Sequence, residues 1–241
     1  MNNLGARVYG IAAIMMGGAG LLWADFAMGG LRIPATLPGR VVLAYAVAAL
    51  LIAGGALINW RRSWGAAVLT AIFGAAFILV DLVPLIMHAG MFDYWEATAE
   101  PLALTMAGVI ALTAPSSRAS RIATYVFAGC LIVFGTAHFV FAKFSATFVP
   151  SYLPPNQIFW VYLTGAAAIA AGLAILSGIL ALLAARLLTL MYVLFGILVH
   201  TPFVLAPHAN HGNWVEFIVN LGLTGAAWIV ADTLAKRSAI C

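Results

Sequence analysis

The chain has 241 residues, of which 65% are hydrophobic and 7% charged, with a mean hydropathy of +1.09. A soluble domain carries about 25% charged residues, so no soluble fold of this length could hide so much apolar surface. The net charge of +4 comes from lysines and arginines set singly or in pairs between apolar runs; this excludes a nucleic-acid face and reads as membrane topology.

A membrane span needs about 20 mainly apolar residues, and eight candidates fit, at roughly 7–28, 39–59, 64–87, 95–114, 121–143, 156–177, 183–205 and 214–234. The first run follows Arg7 and has the look of a signal peptide, but an equivalent run recurs after Arg121 as an ordinary span. The fourth span starts with Glu96, Glu100 and Pro101 in its first turns. Gly54, Gly55, Gly165 and Gly172 mark the second and sixth spans as inner packing helices, because small residues let backbones approach closely in lipid. Cys130 and Cys241 form no CxxC pair and imply no dithiol chemistry.

With eight spans, Arg7, Arg61, Arg62, Arg118, Arg121, Arg186, Lys236 and Arg237 share one side, and only Arg32, Arg40 and Lys143 face the other. The positive-inside rule then puts both termini in the cytoplasm of a cell with the protein in its inner (plasma) membrane. On that map all five histidines, and every acid except Asp232, fall in the outer half.

The two halves carry the same landmarks in the same order. Pro34 to Pro38 repeats the spacing of Pro150 to Pro154, Gly18 pairs with Gly135, Tyr45 with Tyr162 and Gly55 with Gly172. Ile78-Leu79-Val80 matches Ile197-Leu198-Val199, and Trp95 pairs with Trp214. The expected fold is therefore an all-α integral membrane protein of eight transmembrane helices. They form two tandem parallel four-helix units, residues 1–115 (the diverged copy) and 121–235. The two proline runs are read as matching outer hairpins, since proline fixes φ and biases its predecessor away from helix.

The chemistry-bearing residues follow from this layout. His138 lies far along the fifth helix, and His200 lies near the outer end of the seventh, two residues before Pro202. Glu216 and Asn220 are four apart, hence on one helix face, and Tyr162 stands about two turns into the sixth helix. In one antiparallel bundle these five share a depth and form the candidate ligand site, since ionisable groups in a membrane usually face the bundle interior. The competing reading is structural glue between helices. The first half presents Leu21 in place of His138 and Asp81 in place of His200. Its own polar set, Asp81, Glu96 and Glu100 with Asp25, is all acidic and forms a secondary candidate whose carboxyls would share protons. His208 and His211 have ligand-like spacing but read as solvated loop residues, so no metal site is assigned. Trp95, Trp214, Tyr152, Trp160 and Tyr94 read as an interfacial aromatic belt.

The order GTAHFVF, VPSYLPP, WVYLTGAAAIAAGLAIL, LVHTPF and NWVEFIVNLGLTGAA, over roughly residues 121–235, resembles the DoxX-like membrane proteins. The resemblance implies a four-helix membrane unit, in some members tied to quinone-linked sulfur oxidation or to complexes handling oxidative stress. Gly135, His138, Pro150, Pro154, Gly165, Gly172, His200, Pro202 and Trp214 match the family pattern. Where such proteins often carry an acid just after the glycine of the second helix, this chain has Ala166, Ala167 and Ala168.

Three functional classes follow. The first is a non-autonomous membrane subunit of a redox system, binding quinone or another small molecule while a membrane or extracytoplasmic partner supplies electrons. No haem, flavin or iron–sulfur motif is visible, so the cofactor stays open with quinone as one option. The second is a solute-binding or transport protein, and the third a membrane scaffold or assembly factor.

Overall fold

The structure is a computed structural model that describes residues 3–239; Cys241 lies outside the described residues. Its long helices are α1 (Leu4–Trp23), α2 (Arg40–Trp60), α3 (Arg62–Met87), α4 (Phe92–Leu112), α5 (Arg118–Val140), α7 (Gln157–Ser177), α8 (Ala181–Val204) and α9 (His211–Ser238). A short α6 (Ala142–Ala146) follows α5. Polar residues set the helix starts where the chain enters from a loop. Ser117 and Asn156 each accept a backbone N–H of the first turn, and Asn210 forms a reciprocal capping box with Asn213.

Seven of these helices are long and apolar enough to cross a membrane. The expected count of eight is not met by this measure, because α4 is not among the seven. Its first half carries Asp93, Glu96, Thr98, Glu100 and Pro101, and these dilute the apolar run that a span requires. The outer faces of the other helices are strongly apolar. On α8, Leu183, Leu187, Leu190, Leu194 and Ile197 are all exposed, a continuous stripe that a water-soluble monomer does not tolerate.

Each long helix packs on its neighbours in sequence, α9 closes the ring by packing on α1, and α4 and α9 meet across the middle. One continuous core draws on all of them, and α9 is the most buried helix. Tyr9 of α1 shows the style of packing. It is fully buried, stacks near Phe73 of α3, and donates its hydroxyl to the Leu104 carbonyl of α4 at 2.8 Å.

The crossing of α1 with α2 recurs in the crossing of α5 with α7. A Cβ added at Gly17 would strike the Ala48 carbonyl and Ile52, and one added at Gly135 would strike the Gly165 carbonyl and Ile169. The partner glycines behave alike, with Gly55 against Gly10 and Ile14, and Gly172 against Ala128 and Ile132. This corrects the alignment of the first helices by one residue. Gly18 faces open space, so Gly17 is the counterpart of Gly135, and Gly20 rather than Leu21 stands where His138 stands.

The two proline hairpins also share one geometry. Leu37 N–H donates to the Pro34 carbonyl at 3.1 Å, and Leu153 N–H donates to the Pro150 carbonyl at 3.2 Å. The first residue of the next helix then ties each hairpin down. Arg40 donates to the Ile33 carbonyl at 2.8 Å and to Asp25 at 2.5 Å, whereas Gln157 donates to the Ala146 carbonyl at 2.9 Å and to that of Val149 at 2.5 Å.

Both third helices contain a π turn, Phe77–Asp81 in α3 and Phe195–His200 in α8. A proline follows each, Pro84 and Pro202. Its ring crowds the carbonyl four residues back, that of Val80 or Leu198, and its missing N–H breaks the regular ladder. The wider turn accommodates both effects. Asp81 and His200 are the last residues of the two π turns.

Candidate functional site

The α5–α7 crossing places His138. A Cβ at Gly165 would lie 2.7 Å from the His138 Cβ, so the bare backbone of α7 makes the space that the histidine enters. His138 Nδ1 lies 2.8 Å from the Phe134 carbonyl. A carbonyl only accepts, so Nδ1 carries the hydrogen and Nε2 is left to meet another group. Phe195, the first residue of the α8 π turn, stacks on the imidazole with ring centroids 6.3 Å apart.

The π turn places His200 one wide turn beyond Phe195. The Gly196 carbonyl takes both the Thr201 N–H and the Thr201 hydroxyl, the latter at 2.7 Å, which locks the widened register. About one turn before Gly196, the Tyr192 carbonyl accepts from Asn220 Nδ2 of α9 at 3.0 Å. That bond fixes the buried Asn220 and binds α8 to α9. The Tyr192 hydroxyl is buried and has no hydrogen-bond partner.

Helix α4 supplies the remaining polar groups. Glu96 and Glu100 are one turn apart and face the same cavity as Glu216 and Asn220 of α9. Glu100 Oε2 is buried without a hydrogen-bond partner. The loop between α1 and α2 closes over it, and a Cβ at Gly29 would lie 2.5 Å from Glu100 Oε2.

These groups line one cavity of about 140 Å³. Its polar side is Glu96, Glu100, His138, His200, Glu216 and Asn220 with Tyr192, and its apolar side includes Phe134, Ala168, Met191 and Phe195. Water occupies about 30 Å³ per molecule in the liquid, so the space takes a few waters or one small headgroup; drug-sized ligands fill roughly 300–1,000 Å³.

Four of the five first-choice residues, His138, His200, Glu216 and Asn220, therefore meet. Tyr162 does not. It sits on the outer face of α7, 44% exposed, and stacks on Phe139 with centroids 5.4 Å apart. The secondary group divides. Glu96 and Glu100 join the main cavity rather than forming a separate acidic site, because α4 packs on both α5 and α9. Asp81 is buried, with Oδ2 unpartnered, but does not line that cavity.

Two further expectations change. His211 is not a solvated loop residue; it opens α9 with its ring against Trp23, centroids 5.2 Å apart. Trp214 likewise packs inward on Trp23 and Phe217 instead of joining an outer belt, while Trp95 stays exposed. Among the described residues no cluster of histidine, cysteine and acidic side chains is arranged to hold a metal ion.

Sequence reasoning missed Tyr192 and the aromatic wall of Phe134 and Phe195. A signal for α4 was present, because Glu96/Glu100 and Glu216/Asn220 share the same four-residue spacing after a tryptophan.

A family model described as a domain of unknown function (DUF8561) matches residues 127–206, the stretch that carries His138, the second hairpin and the α8 π turn. Curated proteins and solved structures give no match.

Proposed function

We propose that this chain is an accessory membrane subunit of a redox system, and that its outer-half cavity binds the headgroup of a quinone or a similar small carbonyl compound. In this reading the chain is two tandem four-helix units with both termini in the cytoplasm, α4 included as a span. The resemblance to DoxX-like proteins points the same way, and the repeated crossings, hairpins and π turns support the duplication.

One observation carries the ligand reading: two buried polar atoms that lack partners, Glu100 Oε2 and Tyr192 Oη, belong to residues lining the same cavity. A buried polar group left unpaired costs about 1–3 kcal/mol, so a cavity that keeps two is built to be filled. A headgroup carbonyl accepts hydrogen bonds, and Tyr192 and His200 are its available donors, while the bare Nε2 of His138 accepts from a hydroxyl of the reduced headgroup. Phe134 and Phe195 offer flat apolar surface to its ring. Carboxyls clustered from α4 and α9 share protons, which supplies exchangeable protons beside the headgroup. Ala168 makes an apolar wall, and the acids come from α4 and α9 rather than from the helix after Gly165.

The test is photolabelling of the purified protein in lipid nanodiscs with a short-chain azidoquinone, with the labelled peptides mapped. Labelling of the segments around Phe134–His138 and Tyr192–His200, competed by unmodified quinone, supports the proposal. Labelling confined to the lipid-facing stripe of α8 contradicts it. A solute-transport role would show instead as uptake by proteoliposomes without quinone competition.

A further inference from the structure

At the opposite end of the bundle, the starts of α1 and α3 and the end of α2 enclose a second cavity of about 250 Å³. Its lining is mainly polar and includes Asn3, Arg7, Asn59, Trp60 and Arg62. We infer that this cavity is a binding site for a phosphate-bearing anion, and that its occupant is the headgroup of an anionic phospholipid.

The charge and the donors are in place. Arg7 and Arg62 are the charged residues of the lining, and among the described residues no side chain forms an ion pair with either. Arg62 donates one guanidinium nitrogen to Asn3 Oδ1 at 3.2 Å, and its Nε is buried without a hydrogen-bond partner. A guanidinium with an unused N–H in a polar cavity matches phosphate oxygens, which it binds through paired donors. Asp232 of α9 is a nearby acid, but it forms no ion pair with Arg62 and does not line the cavity, so the guanidinium stays available to a ligand.

The surroundings favour lipid as the source of the phosphate. Trp60 is 79% exposed and Trp64 is 66% exposed, the Arg61 guanidinium lies over the Trp60 ring, and these rings mark the level of a membrane–water boundary. Acyl chains from a headgroup held there would run along the exposed apolar face of α2. Basic pockets between helix ends are a recurrent way of holding anionic headgroups. The cavity is separate from the polar cavity among α4, α5, α8 and α9 and shares no residue with it.

Native mass spectrometry of the full chain in detergent, titrated with phosphatidylglycerol, phosphatidylcholine and inorganic phosphate in separate arms, tests the inference. The expected result is a phosphatidylglycerol adduct in preference to phosphatidylcholine, weakened roughly fivefold for each of Arg7→Gln and Arg62→Gln. Arg62→Lys retains part of the binding, and Arg118→Gln, a matched loss of charge at an exposed residue outside the cavity, leaves it unchanged. Phosphate binding with the same arginine dependence but no lipid selectivity supports the anion site and assigns its source to free phosphate. Equal binding of both lipids without phosphate binding, or equal weakening by Arg118→Gln, overturns the inference. Should Arg62→Gln fail to fold, Arg7→Gln alone decides between these outcomes.

Discussion

Gly165 and His138 occupy complementary space: the missing side chain of one leaves room for the Cβ of the other. In the first half the same crossing is built the other way round, with Ala48 on α2 and Gly20 on α1. The polar cavity therefore begins as an exchange of small residues between two helices.

Gly165→Ala inserts a Cβ 2.7 Å from the His138 Cβ. Overpacking of this kind costs about 1–3 kcal/mol. Gly18→Ala, at a position with open space, should be neutral or stabilise the helix by roughly 0.5–1 kcal/mol. Thermal melts of the two variants in one detergent check the pair, and equal melting temperatures would show that the α5–α7 crossing is looser than described.

Glu100→Gln should raise the stability of the ligand-free protein while weakening ligand binding. The unpartnered carboxyl is a cost in the empty cavity and a contact in the filled one. A melt and a binding titration on the same sample separate the effects. A variant that melts lower and binds normally would argue that Glu100 is structural.

Asn220→Ala removes the Nδ2 bond to the Tyr192 carbonyl, which keeps the Phe195 N–H as a donor, and unties α8 from α9. The expected loss is that of one hydrogen bond, about 0.5–1.5 kcal/mol, larger than for an exposed polar substitution. Tyr162→Phe, outside the cavity and 44% exposed, should change neither stability nor binding.

The segment between α1 and α2 carries a pH-dependent contact. Arg32 donates to Asp93 at 2.7 Å and holds that carboxyl below the usual carboxylate range, while the Arg32 guanidinium is itself held further protonated by Asp93. A depressed folded pKa gives stability that is present above the unfolded value, about 3.9, and lost as pH falls through the folded one. Acidification below about pH 4 should thus lower the wild-type melting temperature by a small, salt-sensitive amount that Asp93→Asn lacks. The contact is exposed, so a large effect would point to another carboxyl.

Much of the architecture was legible because it follows from one-dimensional signals. Apolar run length pointed to the helices, proline spacing to the hairpins, and the glycines to close packing of α2 and α7, whose partners α1 and α5 only the fold identifies. The errors came where three-dimensional packing decides. A single-residue slip in the first helix put Leu21 in place of Gly20, since glycines at 17 and 18 cannot be ranked without a partner helix. Tyr162 was assigned by depth alone, and depth does not say which side of α7 faces inward. Glu96 and Glu100 were assigned to their own half, because sequence adjacency says nothing of α4 crossing over to α5 and α9. The π turns were foreshadowed only by Pro84 and Pro202, and Tyr192 carried no signal that set it apart from other buried tyrosines.

The central claim is that the groups from α4, α5, α8 and α9 act as one site for a small ligand. Titration of a short-chain quinone into the purified protein, with His138→Leu, His200→Leu and the double variant alongside, tests it most directly. The account predicts saturable binding that each single variant weakens. The double variant should then lose less than the sum of the two, as expected for groups that contact one ligand. Wild-type affinity in both single variants, with folding intact, would contradict it.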